Sequence, residues 1–198
     1  MVEQEQGLLV VISGPSGVGK TTIVHRVREH FDAVFSVSAT TRPKSDKEVD
    51  GKDYFFVSST DFEEKVTNNE FLEYAEVFGC HRYGTLRAPV DSVLSSGKIM
   101  LLDIDVQGGM QIRDNMPEST RIFILPPNED ELLHRLEARG RDDHDSIKRR
   151  FQEAKQEIKL AQDSGAYQYS ITNDDLELAV AETISIIQKA RSNTTAAS

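Results

Sequence analysis

Eight residues near the start of the chain, Gly14, Pro15, Ser16, Gly17, Val18, Gly19, Lys20 and Thr21, follow G-x-x-x-x-G-K-[ST] without a departure. Glycines at that spacing let successive backbone N–H groups turn inward around a polyphosphate, where a Cβ would obstruct close approach. A helix starting at the loop adds its positive N-terminal end. Lys20 would then reach the β- and γ-phosphates, and the Thr21 hydroxyl would complete a Mg²⁺ shell. The pattern indicates a nucleoside triphosphate. GTPases, ATPases and small-molecule kinases all share it, so its use must be read from the rest of the chain.

A second group of residues suited to phosphate chemistry lies further on. Arg135, Arg139, Arg141, Lys148, Arg149 and Arg150 fall in one short stretch of a chain whose net charge is -10. Arg135 and Arg139 are four apart and share a helix face, which Leu132, Leu133 and Leu136 pack down. Arg150 follows on the next helix, after a polar loop (141–145) that can flex as a lid. The chain as a whole lacks the basic footprint of a duplex binder.

These groups need a scaffold. Residues 8–13 (LLVVIS) form a continuous apolar run and predict a buried parallel strand. Residues 21–30 carry Ile23 and Val27 at helical spacing. Further strands are expected at 98–104, at 121–125 (ended by Pro126-Pro127) and at 166–171. Helices are expected at 128–138, 146–162 and 176–190. Residues 34–39 and 53–57 look like short strands around a polar turn, followed by 70–77 and 83–89. The predicted fold is α/β, a P-loop core with a parallel sheet flanked by helices, plus a small mixed α/β insert and a helical lid. The expected organisation is a single domain over 7–190. Its core covers 7–37, 96–130 and 155–190, its insert 38–95 and its lid 131–154, with 191–198 a frayed tail.

Composition sets outer bounds. Hydrophobic residues are 38% and charged residues 28% of the 198, an ordinary globular balance that excludes collagen-like and wholly disordered chains. No apolar run approaches the roughly 20 residues of a membrane span. The first six residues are polar and acidic, unlike a signal peptide. The lone Cys80 forms no internal disulfide, and no Cys/His set has zinc spacing. The expected location is the cytoplasm, with neither membrane nor nucleic-acid polymer as partner.

Several stretches resemble guanylate kinases. Ser36-Val-Ser-Ala-Thr-Thr-Arg42, Glu48-Val-Asp-Gly-Lys-Asp-Tyr-Phe-Phe56, Glu70-Phe-Leu-Glu-Tyr-Ala75 and Tyr83-Gly-Thr85 resemble the monophosphate-binding insert of that family. Leu102-Asp-Ile-Asp-Val-Gln-Gly108 resembles the strand ending at its active site. Arg135-Leu-Glu-Ala-Arg-Gly140 resembles its lid, and Ile171-Thr-Asn-Asp174 its adenine-side loop. The resemblance implies phosphoryl transfer from MgATP to GMP or dGMP by a monomer or homodimer. It implies ATP contacts from the loop 14–21, Thr22 and Asn173, and closure of Arg135, Arg139 and Arg150 over the phosphates. It further implies Arg42, Tyr54 and Tyr83 on the acceptor phosphate, and Ser38, Glu73 and Thr85 on guanine. Asp103 would orient Mg²⁺ waters or help hold guanine, with Asp105 as the other candidate for the waters.

The chemistry fits those residue types. An ionised carboxylate accepts both the N1–H and the 2-amino group of guanine, whereas adenine offers an unprotonated N1 there. An acceptor phosphate is largely dianionic at pH 7, its second pKa being about 6, so no general base is needed. None of the scattered histidines, His25, His30, His81, His134 and His144, is assigned a catalytic role. The family's second phosphate-binding arginine is replaced by Ser45, leaving Lys44 or Lys47 to supply the charge without its bidentate fork. Two other readings stand beside this one. A binding module that has lost catalysis typically also loses the phosphate loop, which is complete here. A kinase for another phosphorylated acceptor would not need Glu73, Ser38 and Tyr54 together.

Overall fold

The computed structural model describes residues 7–77, 80–138 and 144–196. From the N-terminus, β1 (Leu8–Ser13) leads through the phosphate loop into α1 (Lys20–Phe31), then β2 (Val34–Phe35). A second group follows: β3 (Ala39–Thr40), β4 (Phe55–Phe56), α2 (Ser59–Thr67), β5 (Phe71–Val77), β6 (His81–Leu86) and α3 (Arg87–Ser95). The chain then returns through β7 (Ile99–Asp103), α4 (Val106–Asn115), β8 (Thr120–Leu125), α5 (Glu129–Ala138), α6 (His144–Ser164), β9 (Tyr169–Thr172) and α7 (Leu176–Ala196).

The main sheet has five strands in the order β2-β7-β1-β8-β9, and every described pairing in it is parallel. The continuous apolar run of β1 is explained by its central place, because both faces of a parallel strand are covered by helices. Leu8, Val10 and Ile12 pack with α1, α7 and the buried faces of α5 and α6. Leu9 and Val11 pack on the other side with Val90, Ile112 and Leu72. The order reverses at β1, and α/β sheets place ligands in the crevice at such a point. There the phosphate loop leaves β1 beside Asp103, the last residue of β7.

The second sheet is mixed, in the order β4-β3-β6-β5, with β5 at its edge. Leu72 of that edge strand enters the core of the main sheet, so the two layers are packed together.

Three helices lie where the sequence pattern gave none. In α2, Ser58 and Asp61 form a reciprocal capping box. Pro89 sits in the first turn of α3, where the missing N–H leaves no helical bond unmade. Asp105 caps α4 by accepting from Gly108 N at 2.8 Å. Helix α7 continues to Ala196, past the residue 190 at which the sequence pattern ends it. No Gly or Pro interrupts that stretch, and Ser192 Oγ bonds back to the Gln188 carbonyl within the helix.

Arg121 is a charged residue inside β8, only 6% exposed. Its guanidinium donates to the carbonyls of Ala166 (2.7 Å), Ser119 (3.0 Å) and Pro117 (3.1 Å), tying the turn before β8 to the segment before β9. Arg121→Met is expected to remove the side-chain donor to the Ala166 and Pro117 carbonyls, while Ser119 O keeps its bond from Gln168 Nε2, and to cost about 2–3 kcal/mol in denaturant unfolding. A midpoint equal to that of the unsubstituted chain would show the clasp to be idle.

Candidate active site

Gly19 sits at φ +87, the N-cap of α1, and Gly17 at φ +94, both backbone conformations that L side chains rarely adopt. A Cβ on Gly19 would lie 2.5 Å from Asn173 Nδ2. That amide is buried and donates to the Val18 carbonyl at 2.6 Å, while Asn173 N donates to the Leu125 carbonyl. The ends of β8 and β9 therefore hold the loop that leaves β1. Gly19→Ala combines a disfavoured φ with this collision. Titration with an ATP analogue should show affinity lowered by about tenfold or more; unchanged affinity would mean the loop adapts.

Lys20 Nζ pairs with Asp103 Oδ1 at 2.7 Å. The cavity around the loop, about 320 Å³, is lined by the loop backbone, Lys20, Thr21, Asp103, Asp105 and Glu157. Thr21 and Thr22 are exposed on the first turn of α1. Arg150 Nη2 donates to Ser16 Oγ. Arg135 bonds Glu131 Oε1 (2.7 Å) and the Asn173 carbonyl (3.0 Å), so both arginines touch the loop or the segment that holds it. Arg139 lies outside the described residues, as does Arg141.

On the second sheet, Glu73 of β5 faces Thr85 of β6, whose hydroxyl donates to Glu73 Oε1 at 2.6 Å. Burial pushes the Glu73 carboxyl up to about 7, with Asp105 adding to the rise and the Thr85 hydrogen bond opposing it. Arg42 forms a two-pronged ion pair with Glu48 (3.0 and 2.5 Å) and lies 5.4 Å from the centroid of the Tyr54 ring. Tyr83 meets Tyr54 edge-on at 5.8 Å. The Arg42 hydrogen bond, helped by the Ser45 backbone, holds the Glu48 carboxyl down at about 2. Arg42, Tyr54 and Tyr83 thus form one cluster, and Glu73 with Thr85 another. Ser38 is half-buried, and its carbonyl accepts from Phe55 N. Lys44 donates to the backbone carbonyls of Glu48 and Ser45. Cys80 is exposed.

The family model for guanylate kinase matches residues 6–190. The chain belongs to the guanylate kinase family. It is 48% identical over 191 residues to the guanylate kinase of Anaeromyxobacter dehalogenans, covering 96% of this chain and 83% of that one. It is 45% identical over 186 residues to that of Thermus thermophilus, covering 94% and 83%. The crystal structure of guanylate kinase from Anaplasma phagocytophilum superposes with a TM-score of 0.72 at 33% identity, covering 95% of this chain and 88% of that one.

Within this guanylate kinase fold, two acidic residues at the site escape motif reading. Glu157 stands seven residues after Arg150 on α6, in a stripe with the buried Ala154 and Ala161. A carboxylate in an otherwise apolar stripe was the available signal. Burial pushes its carboxyl up to about 7, opposed by Lys20. Glu48 lies within a quoted motif, but nothing in its spacing foretells the pair with Arg42. Among the described residues, no membrane-length apolar helix occurs.

Proposed function

We propose that this chain transfers the γ-phosphoryl group of ATP to GMP, and to dGMP, yielding ADP and GDP or dGDP. The observation that carries this reading is the pairing of a complete phosphate loop at the sheet's switch point with a buried carboxylate on the adjoining sheet. The loop backbone and Lys20 would take the donor phosphates. Glu73 would accept the two guanine donors, with Thr85 fixing one of its oxygens and Ser38 nearby. None of the residues assigned to the acceptor requires a 2′-hydroxyl, so dGMP is included.

Arg42, Tyr54 and Tyr83 would receive the acceptor phosphate, the dianion displacing Glu48 from the guanidinium. An oxygen of that phosphate attacks the γ-phosphorus in line, the bond from γ-phosphorus to the bridging oxygen breaks, and its electron pair leaves with ADP. No proton need be removed, since the acceptor is already a dianion. Arg135, Arg139 and Arg150 would close over the migrating group and exclude water.

The Thr21 hydroxyl that lines the loop is a hard oxygen ligand of the kind Mg²⁺ takes, and the Asp103 or Asp105 carboxylate in the same cavity would hold waters of an ion entering with the nucleotide. Bound there, Mg²⁺ would neutralise charge on the β- and γ-phosphates. We assign the chain to the cytoplasm as a monomer or homodimer.

The test is coupled ADP release with MgATP and, separately, GMP, dGMP, AMP, CMP and ribose 1,5-bisphosphate. GMP-dependent release that is nearly absent with AMP is the expected result. No release with any acceptor would overturn phosphoryl transfer, and release with a different acceptor alone would overturn the guanine assignment.

A further inference from the structure

The helix that starts at the phosphate loop's neighbouring strand also grips the strand carrying Glu73. Strand β5 is the edge of its sheet, so its outward backbone groups have no strand beside them. Helix α4 fills that place with side chains. The Gln111 amide donates to the Tyr74 carbonyl at 2.9 Å and accepts from Tyr74 N at 3.1 Å. Both backbone groups of one residue are thereby satisfied, as a neighbouring strand would do. Asn115 Nδ2 donates to the Leu72 carbonyl at 2.7 Å. Between these two points, Gly108 faces the Glu73 carboxylate: a Cβ there would stand 2.9 Å from Glu73 Oε2 and 3.2 Å from Ile104 Cδ1.

Positions 108, 111 and 115 share one helix face. They meet residues 73, 74 and 72 in turn. The helix itself is anchored at the other site, since its cap is Asp105, two residues beyond the Asp103 that pairs with Lys20. From this arrangement we infer that the Gly108, Gln111 and Asn115 face of α4 is a specificity-determining positioning element, which sets where the Glu73 carboxylate stands and so how it reads guanine.

Two donors on one edge of the base require two carboxylate oxygens at fixed places. Thr85 fixes Oε1. The bare Gly108 lets Oε2 come as close to the helix as it does. A methyl at 108 must push that oxygen away, and the base loses one of its two hydrogen bonds. The inference rests on the guanine reading proposed above.

The experiment compares the unsubstituted chain with Gly108→Ala and Gln111→Ala, measuring kcat and KM for GMP and IMP, KM for ATP, and the thermal midpoint. IMP lacks the 2-amino group, so the GMP/IMP preference reports the bidentate contact. Alanine is the better helix former, and the atoms a Cβ would meet are the ends of the Glu73 and Ile104 side chains, so Gly108→Ala should leave the thermal midpoint within a few degrees of the original. Its KM for GMP should nonetheless rise about tenfold or more, its GMP/IMP preference should shrink by about tenfold, and KM for ATP should stay within about twofold. Gln111→Ala should shift the same preference in the same direction by a smaller factor. Both variants retaining the original GMP/IMP ratio would overturn the inference. So would equal losses toward GMP, IMP and ATP with a lowered midpoint, since that pattern marks general damage. An unsubstituted chain without GMP-dependent ADP release would overturn the underlying reading before any variant is compared.

Discussion

Lys20→Met is expected to reduce kcat/KM for ADP formation by on the order of 10³-fold, while the thermal midpoint stays nearly unchanged. Methionine keeps most of the side-chain volume and removes the charge. Among the described residues lining the loop cavity, Lys20 is the one cation, and the others that ionise are Asp103, Asp105 and Glu157. Without the ammonium, a polyphosphate would enter a cavity bounded by carboxylates and lose the group that follows charge onto the transferring phosphoryl. The cost to folding should be small because Asp103, once unpaired, still keeps about a fifth of its side-chain surface in solvent and lines a cavity open to water. Lys20→Arg should recover little, because a planar fork does not fit where a compact ammonium stands. Steady-state assays of both variants decide the matter; activity within tenfold of the unsubstituted chain would remove Lys20 from the reaction.

The second large effect is expected at Glu73. In Glu73→Gln, one of the two carboxylate oxygens proposed to accept the guanine donors becomes an NH₂ group, which would face a donor with another donor. A drop in kcat/KM for GMP by about 10²- to 10³-fold should follow, with the preference over AMP largely lost.

The same carboxyl gives a pH signature. Its folded pKa of about 7 lies above the unfolded value of 4.5, so the fold favours the protonated form. The corresponding stability is fully present below pH 4.5 and is lost as pH rises through 7, amounting to about 3 kcal/mol. The ligand-free glutamine variant should therefore gain on the original chain in unfolding free energy between pH 5 and 8.5. Guanine's donors favour the ionised form instead. GMP binding should release a proton near pH 7, and affinity should weaken as pH falls below 7 by more than in Glu73→Gln. Calorimetry in two buffers of different ionisation enthalpy measures that proton; equal release by both chains would place the titration elsewhere. Glu157 titrates in the same range, which is why the comparison with the variant is needed.

Much of the scaffold was legible because its signals are local. Five apolar residues in succession between residues 8 and 12, too short for a helix and ended by a Gly-rich turn, read as a strand buried on both faces, and G-x-x-x-x-G-K-T encodes its own loop. Helix α4 was not legible because its first turn carries Gly108 and Gly109, weak helix formers, and its apolar face is narrow. What holds it is Asp105 at its cap and the strand it supports. The pair of Arg42 with Glu48 depends on a turn six residues long, whose geometry no periodicity specifies. Glu157 needed the packing of α6 against the loop before its direction was known. The helix beyond residue 190 was missed because small polar residues resemble a frayed end whether or not a preceding helix carries them.

The clasp between Asn173 and the Val18 carbonyl joins residues 155 apart in sequence. During synthesis the phosphate loop therefore leaves the ribosome 155 residues before the amide that clasps it. A nascent chain that has emerged only through β8 carries every residue of the nucleotide motif without the clasp. A product arrested before Asn173 therefore carries the motif in a loop that lacks this hydrogen bond.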